Sequence, residues 1–300
     1  MKNVSLWIKA MRLRTLPLSV SGIILACCLA QYNGVFKWNI CVLAILTTLS
    51  FQILSNLAND YGDGVKGTDN VDRIGPERAV QSGKITPDRM LNAIKTSILI
   101  SIVLATLLIF SAFRAKHFFL ALTFFLLGTV SIIAAMKYTV GKNAYGYRGL
   151  GDVFVFIFFG LVSVIGCYVL FSKRLDHVTI LPAITIGLLS TAVLNLNNMR
   201  DFESDKKSNK ITLAIRFGKQ NMKIYHYTLI VLAIVISGLF GILYFTSIRN
   251  LIFMIMYVPL IMHLVKVKNT KDLKLLDPEL KKVALTTVFL ATLMGIGQLL

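Results

Sequence analysis

The chain has 300 residues, 56% of them hydrophobic and only 15% charged, with a mean hydropathy of +0.72 and a formal net charge of +18. A soluble domain averages about 45–50% apolar and about 25% charged, so the composition excludes a pair of ordinary soluble domains and favours one membrane bundle over residues 1–300. The basic residues fall in short loops between apolar runs, which reads as membrane topology rather than nucleic-acid binding.

Taken in chain order, the apolar runs predict nine spans at about 16–31, 40–57, 96–113, 118–136, 153–171, 178–196, 227–245, 251–265 and 283–300. A membrane-crossing helix needs about 20 mostly apolar residues. The runs lack the two-residue alternation of a membrane barrel, so all nine are expected to be α-helical. Lys2, Lys9, Arg12 and Arg14 before the first run resemble a signal peptide. The many later spans make that run a retained first helix. Nine spans place Lys37, Arg114, Lys116, Lys173, Arg174 and Arg249 on one side, six of the 32 basic residues. The other side, with the N-terminus, holds the remaining basic residues and is therefore expected to be cytoplasmic. Cys27, Cys28, Cys41 and Cys167 all lie in apolar runs without a CxxC, so neither zinc nor a disulfide framework is indicated. His263 sits inside a span, where a functional role stays open beside the favoured reading of a hydrogen-bonded packing residue. The charged stretch 269–282 reads as a solvated connection.

Acidic residues follow the same sidedness, with Asp176 the one exception, although the positive-inside rule does not require it. The second span runs into Asn56-Leu57-Ala58-Asn59-Asp60-Tyr61-Gly62-Asp63, and the sixth into Asn197-Asn198-Met199-Arg200-Asp201-Phe202-Glu203-Ser204-Asp205. On a continuing helix, Asn56, Asp60 and Asp63 share a face, as do Asn197, Asp201 and Asp205. The clusters occupy corresponding places in the two halves, a pattern that frames functional sites in membrane proteins. Crowded carboxylates repel, and magnesium resolves that conflict with one or two carboxylates plus substrate phosphates. Lys66, Arg73, Arg78, Lys206, Lys207 and Lys210 surround the clusters and suit phosphate oxygens. Acids and bases at one membrane face therefore point to a diphosphate held through metal.

At these residues the chain resembles the UbiA-type membrane prenyltransferases. Asn56-x-x-Asn59-Asp60-x-x-Asp63 is similar to their first signature, Asn198-x-x-Asp201-x-x-x-Asp205 to the second, and Tyr138-x-x-x-Lys142 to a short motif after the fourth helix. Arg14-Thr15-Leu16-Pro17, Tyr147-Arg148-Gly149-Leu150-Gly151-Asp152 and Lys210-Ile211-Thr212-Leu213-Ala214 resemble the branch acting on 1,4-dihydroxy-2-naphthoate. One departure stands out: a third acid expected four residues after Asp63 is Gly67, with Asp69 or Asp72 as substitutes.

The resemblance implies about nine helices around a central cavity, in a bacterial cytoplasmic (inner) membrane. It implies transfer from polyprenyl diphosphate to 1,4-dihydroxy-2-naphthoate with decarboxylation, giving demethylmenaquinone, with Mg2+ as cofactor and the lipid bilayer as surroundings. On this reading Asn56, Asp60, Asp63, Asn198, Asp201 and Asp205 hold metal, the four aspartates being the catalytic set. Lys66, Arg73, Arg78, Lys142, Arg148 and Lys206 meet the diphosphate. Tyr138 orients the acceptor or steadies an allylic cation, or else anchors the interface. Phe154, Phe156, Phe158 and Phe159 are candidates for the cavity wall. Two rival readings stay open: another aromatic acceptor such as 4-hydroxybenzoate, and a transporter.

Overall fold

In a bilayer core each backbone N–H and C=O needs a partner within the protein, and a helix supplies them within one segment. The computed structural model describes residues 2–68, Gly75, 77–114 and 116–300, and every regular element among them is helical. In chain order these are α1 (Lys2–Met11), α2 (Leu16–Tyr32), α3 (Trp38–Val65), α4 (Pro87–Phe113), α5 (Phe118–Lys137), α6 (Gly151–Ser172), α7 (His177–Arg200), α8 (Phe202–Lys207), α9 (Leu213–Leu243), α10 (Ile248–Asn269) and α11 (Asp277–Leu299). Among the described residues nine segments are long and apolar enough to cross a membrane, α1 and α2 counting as one. The protein is a multi-pass membrane protein. Pro17, Pro87 and Pro278 each sit in the first turn of a helix, where a missing N–H costs no hydrogen bond.

Helices outrun the apolar stretches at the end that carries the acidic motifs. α3 continues to Val65, and α9 reaches back to Leu213 across a break at Gly218, whose φ of 74° is not helical. The stretch read as a solvated connection is largely helical instead: a turn at Leu273–Leu276 leads directly into α11. Lys271, Asp272, Lys274, Lys281 and Lys282 are exposed, as a solvated connection would leave them, but one acid is not. Glu279 is buried and takes His263 Nδ1 at 2.6 Å and Lys282 Nζ at 2.7 Å. His263 also meets His226, Nε2 to Nε2, at 2.8 Å, so it is a bonded packing residue.

α7 is the hub, packed against α6, α9 and α11, and α11 closes the ring against α2. Burial covers 61% of the apolar stretch of α7 but 6% of that of α5, whose Phe119, Phe125 and Ile133 face outward as a lipid-side surface would. Inside the ring lies a cavity of 650 Å³. α6 supplies one wall and is wound as a π-helix over Phe156–Gly166, a geometry that recurs at functional sites. Gly160 lets α6 meet α7 backbone to backbone: a Cβ there would lie 2.6 Å from both Ala183 O and Gly187 Cα. Backbone cannot yield as a flexible side chain can, so Gly160→Val should destabilise the protein by about 1–3 kcal/mol. Thermal melting in detergent reads this, and an unchanged melting temperature would contradict the packing.

Candidate active site

Both acidic motifs end in the same local structure. A helix end leaves carbonyls without partners, and a residue in the left-handed region can fold the chain back to cap them. After α3, Gly67 adopts φ 69°, its N–H reaching Gly64 O at 3.3 Å and that of Thr68 reaching Asp63 O at 3.0 Å. After α8, Asn209 adopts φ 56°, its N–H reaching Lys206 O at 3.3 Å and that of Lys210 reaching Asp205 O at 2.9 Å. These are two Schellman caps, with glycine and asparagine at the position that favours them. Position 67 thus serves backbone geometry where the superfamily pattern expects an acid. Asp69 and Asp72, its suggested substitutes, lie outside the described residues.

The caps bring the halves together. Lys210 Nζ lies 3.6 Å from Asp63 Oδ2 and 3.9 Å from Asp205 Oδ1, with little of its side chain exposed. Burial works against the Lys210 charge, but the Asp63 and Asp205 carboxylates outweigh it and hold its pKa above the ordinary lysine range. Tyr147 completes the group. Its hydroxyl donates to Asp63 Oδ1 at 2.8 Å and lies 2.5 Å from Thr68 Oγ1. Lys66 sits 4.1 Å from the centre of the same ring and Lys210 5.5 Å, within reach of cation–π attraction.

The other motif residues have different partners. Asn56 donates to Met11 O at 2.9 Å and Thr15 Oγ1 at 3.1 Å, tying α3 to the α1–α2 junction. Both oxygens of buried Asp60 accept backbone N–H groups, from Ala79 and Val80, at 3.1 Å. Asn198 is buried on α7. Asp201 takes Arg200 Nε at 2.8 Å and Nη2 at 2.7 Å, while Nη1 reaches Asp277 at 2.6 Å and Nη2 also reaches Asn197 at 2.9 Å.

The cavity sorts these residues further. Asn56, Asn59, Asp63, Asn197, Arg78 and Lys210 line its polar end, while Asp60, Asn198, Asp201 and Asp205 are not among the lining residues. Arg12, Arg14, Arg200 and Lys281 also reach the wall. Tyr138 lines the cavity too, and burial pushes its phenol up to about 12, with Lys210 opposing and nearby carboxylates assisting. It is therefore a neutral hydroxyl near pH 7. Among the expected diphosphate ligands, Arg78 lines the cavity and Lys66 lies over Tyr147. Lys142, Arg148 and Lys206 are exposed and away from it, Arg148 donating to Asn143 at 2.6 Å. Arg73 lies outside the described residues. Phe154, Phe158 and Phe159 line the apolar part, whereas Phe156 packs on Gly187.

The site joins a cationic and oxygen-rich mouth to an apolar interior. A family description, UbiA prenyltransferase family, matches residues 20–293. The chain belongs to the UbiA prenyltransferase family. A 1,4-dihydroxy-2-naphthoate octaprenyltransferase of Escherichia coli is 43% identical over 249 residues, which are 83% of this chain and 80% of that protein. One of Haemophilus influenzae is 36% identical over 100% of this chain and 97% of its own. Among solved structures, a UbiA homolog from Archaeoglobus fulgidus bound to GPP and Mg2+ superposes with a TM-score of 0.62 at 13% identity, covering 96% of this chain and 99% of that one. A digeranylgeranylglyceryl phosphate synthase gives 0.63 at 19%, covering 100% of both chains. These likenesses establish the fold, and the family displaces the transporter reading.

For a UbiA prenyltransferase the donor chemistry fits magnesium. At the polar end the ligating atoms among the described residues are carboxylate and amide oxygens, and the one lining thiol, Cys167, lies on α6 with the apolar wall. Among the described residues no three His, Cys, Asp or Glu side chains form a metal cage. Magnesium does not need one, because phosphates and water complete its shell.

Sequence reasoning missed Tyr147 and Arg200 as site residues and left Lys210 among the surrounding bases. The signal for Lys210 was Ser208-Asn209, a left-handed cap that returns the chain over Asp205. Arg200 is buried with a buried carboxylate beside it. Arg200→Ala should therefore destabilise the magnesium-free protein by about 3–5 kcal/mol, since it strands the Asp201 charge. Melting in detergent with chelator present measures this, and a loss below 1 kcal/mol, within the range of an exposed pair, would refute it.

Proposed function

We propose that this enzyme transfers a polyprenyl group from polyprenyl diphosphate to 1,4-dihydroxy-2-naphthoate, with loss of carbon dioxide, in menaquinone biosynthesis. The observation that carries this reading is a cavity charged at one end and apolar along its length, in a family member whose relatives of that name match most or all of the chain. The basic end of the bundle, with the N-terminus, faces the cytoplasm of a bacterial inner membrane, in keeping with the loop charges.

Magnesium, when bound, supplies Lewis-acid stabilisation of the departing diphosphate. Asp63 and Asp205 are its nearest carboxylate holders, with Asn56, Asp60, Asn198 and Asp201 around them. The N–H bonds to Asp60 and Asp201 orient those carboxylates without exhausting them, because a carboxylate has about four lone-pair sites. Arg78 and Lys210 on the cavity wall take diphosphate charge, and such preorganised charge is commonly the largest catalytic contribution. Lys66 assists from the Tyr147 ring. Lys142, Arg148 and Lys206, being exposed, contribute a screened field around the mouth.

The allylic C–O bond breaks and the diphosphate keeps its electron pair. A ring carbon of the naphthoate attacks, a C–C bond forms, and carbon dioxide and a proton leave. The neutral Tyr138 hydroxyl orients the acceptor, and its ring face favours a neighbouring cation. Phe154, Phe158 and Phe159 keep water from the cation and give the prenyl chain an apolar path.

The test supplies magnesium, labelled polyprenyl diphosphate and 1,4-dihydroxy-2-naphthoate to the protein in detergent. Prenylated product is expected, and EDTA should abolish it. Asp63→Ala and Asp205→Ala should each lower kcat by at least about 10²-fold. Product from 4-hydroxybenzoate alone would reassign the acceptor. Undiminished rates in both variants would remove the proposed metal holders.

A further inference from the structure

Lys210 is a base inside an acid pair, and its placement bears on how metal enters. Its ammonium is 3.6 Å from Asp63 and 3.9 Å from Asp205, and its backbone N–H is fixed on Asp205 O by the cap after α8. The side chain is 12% exposed and forms part of the cavity wall. Magnesium approaches its oxygen ligands to about 2.0–2.1 Å. A metal shared by these two carboxylates therefore needs the space and the negative potential that the ammonium now takes.

We propose that Lys210 is the resident counter-ion of the empty enzyme and makes metal entry conditional on diphosphate. Metal arriving alone must expel a buried ammonium from both of its carboxylates. That ammonium then has no anion left to pair with, and stranding a buried charge is costly. Metal arriving with diphosphate brings an anion into the same cavity, and the flexible four-carbon stem of lysine lets the ammonium turn to it. Tyr147 keeps Asp63 in place during the exchange, since its hydroxyl holds Asp63 Oδ1 while Lys210 holds Oδ2. The two ligands thus help each other to bind, and by linkage the help is mutual. One consequence is that the repulsion between the two carboxylates stays partly offset between turnovers, when product diphosphate and metal have both left. The inference rests on the magnesium–diphosphate reading given above.

The experiment measures Mn2+ binding to the full-length protein in detergent by equilibrium dialysis, with and without inorganic diphosphate. Wild type should bind Mn2+ at least about tenfold more tightly when diphosphate is present. Lys210→Met should bind Mn2+ alone at least about tenfold more tightly than wild type does, with a smaller further gain from diphosphate than wild type shows. Lys210→Arg, which keeps the charge, should behave as wild type. Unchanged Mn2+ affinity in Lys210→Met overturns the inference while leaving the metal reading intact. Absence of Mn2+ binding to wild type under both conditions overturns the metal reading and this inference together. Should Lys210→Met not fold without metal, Lys210→Gln and thermal melting carry the test. Mn2+ alone should then raise the melting temperature of the neutral variant and leave that of wild type unmoved, and equal responses overturn the proposal.

Discussion

Buried charge must be paired, and at the motif end of this bundle the pairing joins two halves of one chain. Asp63 closes the first half's motif and Asp205 the second's, and both face Lys210. Lys210 offsets part of the cost of placing both carboxylates so deep, because desolvating a charge costs several kcal/mol. Arg200 does the same on the other flank, where it binds Asp201 and reaches Asp277 at the start of α11. α11 in turn closes the ring on α2. The cavity mouth is therefore held by charge pairs, while its floor is held by apolar packing and by the close approach of α6 to α7.

The duplicated motif has a structural counterpart that is more specific than shared acidity. Each half places its last acid three residues before a helix C-cap and folds back through one left-handed residue. The residue that follows carries the distinction between halves. Thr68 meets the Tyr147 hydroxyl, and Lys210 meets the carboxylates. One half thus contributes a neutral hydrogen-bonding group and the other a charge, so the site is asymmetric although the backbone is not. This also gives Gly67 a reason. An aspartate there would carry the strain of φ 69°, a region that glycine enters freely.

Spans were legible in the sequence because long apolar runs have one solution in a bilayer, and the nine runs mark the nine segments that, among the described residues, are long and apolar enough to cross. Their ends were not, because hydropathy falls at the headgroup level whether or not the helix stops. α9, even counted from the break at Gly218, starts before its apolar run, and α11 takes in charged residues whose partners are distant in sequence, such as Glu279 with His263. The motif residues were legible as a set. What separated Asp63 from Asp60 was not: both lie on one helix, yet Asp60 is held by the N–H groups of Ala79 and Val80, well separated from it in sequence. Tyr147 escaped notice for the same reason, since its worth comes from reaching Asp63 across a sequence gap of 84 residues.

Placing the charges at one end, and not at the centre of the bundle, follows from the two natures of a prenyl diphosphate. The anionic head needs cations and hard oxygens, which are affordable where helices emerge from the bilayer and basic side chains reach water. The hydrocarbon tail needs the opposite, and the cavity offers Phe158, Phe159 and Leu170 along its apolar length. The reacting carbon lies at the junction between head and tail, so the chemistry has to occur at the boundary between the two environments. Tyr138 stands at that boundary, a neutral hydroxyl whose ionisation burial suppresses. A neutral donor suits the place. A charged acid there would compete with Asp63 for Lys210, and a charged base would compete with Lys210 for Asp63.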